Sequence, residues 1–395
     1  MAGTGPASRR YRPDDLIGCT ARLFERAGLD GTIAGAVADI LVAADLLGYD
    51  THGLQFVPAY LADIEQGRTR TSGEPEILND TGGSLLLDGR MLPGQWVVLR
   101  ALALAQERMG SGGHATVSIA IRHSQNISCL ATYVKRAADD GLMALLTTSA
   151  PNNAMVAPHG GRSPRLSTNP IAIGIPTDGT PILIDTSTSA TTNRRIERSR
   201  RTGQRLPGPW LVDNQGRPSD DPEVIYTDPP GAILPAGGLD MGHKGFALAL
   251  FVEALTSGLA GHGRAAADGA DKDAPMGANV FLQLIDAAAF GGIEAFRHET
   301  GFLAQLCRQS LPQAGGPAVR GELHKRARLN RNGMGCGQKK GEIAHQADRN
   351  IATEKPQHQG TARQHEPVVH FLAFRHLAFL EGVVDTFRRR FFCFL

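Results

Sequence analysis

Residues 235–261, PAGGLDMGHKGFALALFVEALTSGLAG, run from a glycine-rich turn carrying His243 and Lys244 straight into an apolar helical stretch. Gly237, Gly238, Gly242 and Gly245 permit backbone conformations and close approaches that a Cβ would block. The first N–H groups of a helix lack partners within it, so such a turn suits an anion, a phosphate above all. The turn alone also reads as a tight loop capping a buried helix, with Lys244 merely solvated. Other segments decide between the two.

At Asp50-Thr51-His52-Gly53 a hydroxyl and an imidazole stand side by side at the break between two apolar helical patterns. At residues 181–190, PILIDTSTSA, a short buried-strand run ends in a carboxylate and then four hydroxyls, Thr186 to Ser189. With Ser167-Thr168-Asn169-Pro170, and with LPGPW at 206–210, ILPAGG at 233–238, GHKG at 242–245 and AAAFGG at 287–292, these segments occur in a fixed order. In that order the chain resembles, over about residues 14–320, the malate/L-lactate dehydrogenase type 2 family. This group of NAD(P)-dependent oxidoreductases includes ureidoglycolate, sulfolactate and diketogulonate enzymes and Δ1-piperideine-2-carboxylate reductase. It is unrelated to the Rossmann-type lactate dehydrogenases.

At 395 residues the chain exceeds a usual single domain, so more than one lobe is expected. Its net charge of +2 gives no electrostatic reason to invoke nucleic acid or a membrane surface. Cys19, Cys129, Cys307, Cys336 and Cys393 are scattered without CxxC spacing, which reads as reduced thiols and not as a metal site or a disulfide frame. The polar N-terminal stretch lacks the apolar core of a secretion signal, and no apolar run reaches the roughly 20 residues of a membrane span. A cytoplasmic protein is the expectation.

Apolar residues recur at helical spacing over 14–27, 32–46 and 54–64, so the first lobe, 1–112, reads as mostly helical. Residues 76–87 read as short strands or turns, and 94–109 as another helix. After Gly113 the period changes: 116–121, 142–148, 171–176, 182–185 and 279–285 are short apolar or alternating runs bounded by Gly, Pro and Asn, as buried strands are. Residues 128–140 read as a helix, 203–235 as irregular, and a helix follows Lys244. No GxGxxG follows a strand, which argues against a doubly wound dinucleotide fold. The resemblance implies an α/β fold: a non-Rossmann NAD(P)-binding domain at 113–265 with a largely antiparallel sheet flanked by helices, then a return segment at 266–322 to the mostly helical lobe. It also implies a homodimer.

Hydride transfer to a carbonyl carbon creates alkoxide character, so a group must donate a proton there and recover it in reverse. A histidine, with an ordinary pKa of about 6.5, suits that task. The resemblance assigns it to His52, with Thr51 where the family usually has Ser, and with Asp185 as the carboxylate completing a relay. It places NAD or NADP against Asn126, Ile127, Ser128, Cys129 and Leu130, against Thr168 and Asn169, along Ile184, Thr186, Ser187 and Ser189, and at His243 and Lys244, whose charge suits a phosphate. On local grounds Asn169 also reads as a turn residue before Pro170. His123, His159 and His262 read as surface or loop histidines.

Three departures stand out. Leu47 and Phe56 occupy positions where many family members carry Arg, so a bidentate carboxylate anchor is missing from the expected place. Gln125 and Asn126 stand where the family often has His, and Asn cannot accept a proton at neutral pH, which directs the chemistry to His52. From residue 323 the sequence turns Arg-, Lys-, Gln- and His-rich and then Phe-rich, ending RRRFFCFL. A tail translated through a shifted frame, and disordered, is the preferred reading; a membrane or partner motif is the other. The functional expectation is an oxidoreductase interconverting a small 2-hydroxy acid and its 2-oxo acid. The alternatives are a cyclic imino acid reductase and a cofactor-binding pseudoenzyme.

Overall fold

The computed structural model describes residues 10–49, 51–267, 277–311 and 369–370. The chain divides into two units. One, residues 1–13 with 326–395, contributes among the described residues an antiparallel pair of two-residue strands, β1 (Arg10–Tyr11) and β12 (Val369–His370). The expectations for the tail otherwise fall outside the described residues. The other unit, 14–325, holds the elements that position the site.

Two helices, α1 (Pro13–Arg26) and α2 (Gly31–Leu46), open it. Asp30 caps α2 by accepting the amides of Thr32 at 2.9 Å and Ile33 at 3.3 Å, satisfying donors that the first turn leaves unpaired. Ile33, Val37, Ile40, Leu41 and Val42 are all buried, and burying each large aliphatic chain stabilises by about 1.5–3 kcal/mol. The third helical pattern divides into a 3₁₀ turn (Leu54–Phe56) and α3 (Val57–Glu65). Then come β2 (Glu76–Asp80), β3 (Ser84–Asp88) and α4 (Gly94–Gly110).

The centre of the unit is a seven-stranded sheet of order β2-β3-β4-β11-β5-β6-β7. Its further strands are β4 (Thr116–Ser124), β5 (Met143–Ser149), β6 (Ile171–Ile175), β7 (Ile182–Thr186) and β11 (Ala278–Ile285). Only β3 and β4 pair in parallel; every other neighbour is antiparallel. Because β3 pairs with β4, a continuous sheet crosses the boundary expected near Gly112. The central strand β11, between β4 and β5, buries Val280, Phe281, Leu282 and Leu284, a near-continuous apolar run suited to a strand covered on both faces. Helix α5 (Ala131–Asp139) packs on β5 and β6, and α4 on β4.

The region after β7 differs from its reading in two ways. Residues 193–201 form α6 (Asn193–Arg201), and the segment read as irregular holds a small antiparallel sheet of order β10-β8-β9: β8 (Leu211–Val212), β9 (Pro218–Ser219) and β10 (Ala232–Ile233). In addition, α7 (Gly238–Glu253) begins at Gly238, so His243 and Lys244 lie inside the helix and not in a turn before it. Two of the glycines that suggested a loop, Gly242 and Gly245, serve packing inside the helix instead. A Cβ on Gly245 would stand 2.4 Å from the Ala236 nitrogen and 2.8 Å from the Thr188 oxygen. The left-handed residues are the N-cap, Gly237, at φ 99° and Gly238 after it at φ 65°. A short helix α8 (Arg264–Ala267) follows, and α9 (Ile293–Gln309) closes the described part of this unit.

Candidate functional site

Between α2 and the 3₁₀ turn the chain reverses through Thr51, His52 and Gly53. The His52 amide donates to the Tyr49 carbonyl at 3.0 Å, and the Leu54 amide to Asp45 Oδ2 at 3.0 Å. Gly53 makes room for that carboxylate, since a Cβ there would overlap Asp45. The Thr51 hydroxyl lies 2.8 Å from His52 Nδ1, so the neutral ring either accepts from Thr51 and carries its proton on Nε2, or donates from Nδ1. The His52 ring lies 5.8 Å from Phe56, which stacks on Tyr60 at 5.3 Å.

The loop between β4 and α5 meets this turn through Ser128. Asn126 Oδ1 accepts the Ser128 amide at 2.9 Å and the Tyr60 hydroxyl at 2.7 Å, while Gln95 donates to that hydroxyl at 3.0 Å. Desolvation raises the Tyr60 pKa well above its ordinary value, against the opposing pull of Gln95 and the Arg194 charge, so Tyr60 stays a neutral donor. Ser128 adopts φ 63°, a left-handed conformation costly for a residue with a Cβ, and its hydroxyl donates to the His52 carbonyl. Ile127, Cys129 and Leu130 are buried, and the Tyr133 hydroxyl donates to the Ile127 carbonyl at 2.7 Å.

Asp185, near the end of β7, meets the same loop. Its Oδ2 accepts the Ala131 amide at 3.1 Å and the Cys129 thiol at 3.5 Å, which places a carboxylate at the N-terminus of α5, where the helix dipole favours negative charge. The loop 126–131 thus carries contacts to the main chain of His52 and to the carboxylate of Asp185. Ile184 is half-buried beside Asp185 on β7.

Beyond β7 the hydroxyl run turns onto its own backbone: Thr186 donates to the Ser187 carbonyl, Ser187 to that of Ser189, and Ser189 to that of Thr191. Each oxygen keeps acceptor capacity. The Thr188 amide and hydroxyl both donate to the Thr168 carbonyl, and the Ala236 amide donates to the Thr188 carbonyl, which docks the start of α7 beside the run. His243 and Lys244 are exposed on that helix, with His243 5.7 Å from His159. Asn169 is different: it is fully buried at φ 41°, and its amide donates to the Ala249 carbonyl and to Glu253 of α7.

The sequence reading passed over two contributors. Tyr60 counted only as an apolar point of α3, whereas its hydroxyl joins α3 to the loop. Arg194 lies in the highly charged NRRIERSRR, whose one apolar residue, Ile196, gives no periodicity to read. Its guanidinium stands 4.6 Å over the Phe56 ring. Leu47 and Phe56 are apolar because both are packing positions: Leu47 lies against Ala44, Tyr49, Cys129 and Ala131, and Phe56 is buried.

A family model for malate/L-lactate dehydrogenase matches residues 11–341. The chain belongs to that family. This dehydrogenase is 34% identical to a malate dehydrogenase of Pyrococcus abyssi over 64% of its own length and 69% of the relative's. It is 33% identical to a Δ1-pyrroline-2-carboxylate/Δ1-piperideine-2-carboxylate reductase of Pseudomonas aeruginosa, over 73% and 84% respectively. Among solved structures it is similar to malate dehydrogenase from Entamoeba histolytica, with a TM-score of 0.74, 25% identity, and coverage of 89% of this chain and 100% of that one. The dehydrogenase is therefore an oxidoreductase whose mixed, mostly antiparallel sheet is shared with malate dehydrogenases. No helix among its described residues is long and apolar enough to cross a membrane.

Proposed function

We propose that this dehydrogenase interconverts a small 2-hydroxy acid and its 2-oxo acid using NAD or NADP, with His52 as proton donor. The observation that carries the reading is the convergence of His52 and Asp185 on one loop, 126–131. The non-Rossmann cofactor site then consists of that loop, the end of β7 and the start of α7. Its donor set fits a dinucleotide: the exposed cation of Lys244 and the imidazole of His243 for phosphate, and a row of hydroxyl oxygens beside them for polar ligand groups. A bound nicotinamide supplies or accepts the hydride.

The protein's own residues supply the rest. Thr51 holds Nδ1, so the proton given to the substrate oxygen leaves from Nε2 and returns there in oxidation. Asp185 stabilises the positive charge that the ring carries before donation. Asn126 acts as a structural acceptor for Tyr60 and Ser128, a task that needs no titrating group. Asn169 contributes by holding α7 through Ala249 and Glu253. The protein works in the cytoplasm, as a homodimer.

The test is a spectrophotometric screen of NADH and NADPH oxidation against 2-oxo acids and cyclic imino acids, followed by His52→Ala. Loss of the proton donor lowers turnover roughly 10²- to 10⁴-fold while cofactor affinity stays unchanged. Turnover retained in His52→Ala removes the assignment. Preference for imino acids transfers the reading to the alternative reductase, and nucleotide binding without turnover of either class identifies a pseudoenzyme.

A further inference from the structure

A 2-hydroxy or 2-oxo acid brings a carboxylate next to the reacting carbon, and a carboxylate leaving water needs a cationic partner. The segment around His52 provides none: residues 27–67 contain neither Lys nor Arg. The cation comes from another element. Three arginines of α6 stack on aromatic rings. Arg195 covers Trp210 and Arg200 covers Tyr226, both in the layer formed by residues 206–233. Arg194 points elsewhere, to Phe56, whose ring in turn lies 5.8 Å from that of His52. The separations of 4.6 and 5.8 Å put the guanidinium no more than about 10 Å from the imidazole, within the reach of a 2-oxo acid hydrogen-bonded to both.

Resting on the dehydrogenase reading, we infer that Arg194 is the carboxylate anchor of the substrate site, held on the Phe56 ring beside His52. Stacking uses the face of the guanidinium and leaves its in-plane N–H groups for a planar anion. Glu197 takes one of them, Nη1, at 2.9 Å, and Asn193 steadies Glu197 Oε1 from its other side at 3.1 Å. Among the described residues that is the ion pair Arg194 makes, and both partners are more than a third exposed, where a pair contributes little to stability. The pairing therefore orients the guanidinium without consuming it. Phe56 in this role is the support for the cation.

The decisive measurement is binding of oxamate, an unreactive 2-oxo acid analogue, in the presence of NADH or NADPH, by calorimetry. Arg194→Ala and the size-conserving Arg194→Gln weaken oxamate at least tenfold, Arg194→Lys retains part of the affinity, and nucleotide affinity is unchanged in all three. In turnover the 2-oxo acid KM rises more than kcat falls, and millimolar guanidinium partly restores Arg194→Ala. Oxamate affinity equal in all forms overturns the inference, as does failure of the unaltered protein to bind oxamate. Binding that depends on Arg194 without turnover of any 2-oxo acid keeps the anchor and removes the dehydrogenase reading. Turnover that depends on His52 while oxamate affinity ignores Arg194 does the reverse.

Discussion

Gly245→Ala sets two effects of opposite sign against each other. Inside a helix, Ala is favoured over Gly by about 1 kcal/mol, so on propensity alone the change stabilises α7. The structure opposes it, because the new Cβ would stand 2.4 Å from the Ala236 nitrogen, 2.5 Å from its oxygen and 2.8 Å from the Thr188 oxygen. All three are backbone atoms, and the first and third form the hydrogen bond that docks residue 236 on the hydroxyl run. Relief requires α7 to move by roughly an ångström. Overpacking of that kind costs about 1–3 kcal/mol, and weakening the hydrogen bond about another 1. The net expectation is a destabilisation of about 2 kcal/mol, or a fall in melting temperature of roughly 3 °C in a unit that spans residues 14–325. Gly35 provides the control: it lies within α2 with nothing inside 4 Å of a Cβ, so Gly35→Ala raises stability by about 0.5–1 kcal/mol. Urea unfolding at a common slope measures both, and a fluorescence titration with NADH or NADPH reports whether the displaced helix weakens the cofactor site. If Gly245→Ala is as stable as the parent, the close approach does not fix α7 and the packing account fails.

Lys244→Ala weakens nucleotide binding about tenfold at low salt and less as ionic strength rises, because an exposed charge contact is screened within about 10 Å at 0.1 M; a salt-independent affinity would take Lys244 out of the site. Ser128→Ala costs about 1–3 kcal/mol by removing the hydroxyl that serves the His52 carbonyl, whereas Ser128→Gly costs about 1 less because it relieves the φ 63° backbone; the reverse order in urea unfolding would refute that division. At Asp88 burial pulls the carboxyl pKa up, but hydrogen bonds from His123, the Arg90 amide and Arg122 outweigh it and hold the group below its ordinary value of 3.8. Its stabilisation is thus complete above the ordinary value and lost as pH falls through the lowered one. Asp88→Asn should be destabilised by about 1–2 kcal/mol at pH 6, with the gap from the parent narrowing only in strong acid; a gap that vanishes by pH 5 contradicts the assignment.

Much of the fold was legible because its strands alternate and its helices carry apolar stripes: β4, β5, β6, β7 and β11 all fall on the runs read as strands. What escaped has identifiable physical causes. Helix α6 has one buried apolar residue, Ile196, and is held by the Thr192 cap and by arginines stacked on Trp210 and Tyr226, contacts that no local pattern announces. The start of α7 was misplaced because glycine is a poor helix former, while its reason for being there, the backbone of residues 188 and 236, lies far away in sequence. At the site, the adjacency of Thr51 and His52 was visible as a pair. The meeting of residue 185 with residues 129 and 131, and of residue 194 with residue 56, depends on the sheet order and on α6, which had to be seen.

The loop 126–131 gives a reason for a strained residue beside the proposed proton donor. With Ser128 in a left-handed conformation, one short stretch presents its hydroxyl to the His52 carbonyl and, one and three residues later, the Cys129 thiol and Ala131 amide to Asp185. A regular turn would spread those groups in a different order. Strain of about 1–2 kcal/mol is small beside what it coordinates. Asp185 sits where the first turn of α5 favours negative charge, so taking a proton from His52 would cost the helix its anionic partner. In the proposed reaction that asymmetry keeps the proton on the imidazole until the substrate oxygen accepts it, with Asp185 stabilising the charged ring without itself becoming protonated.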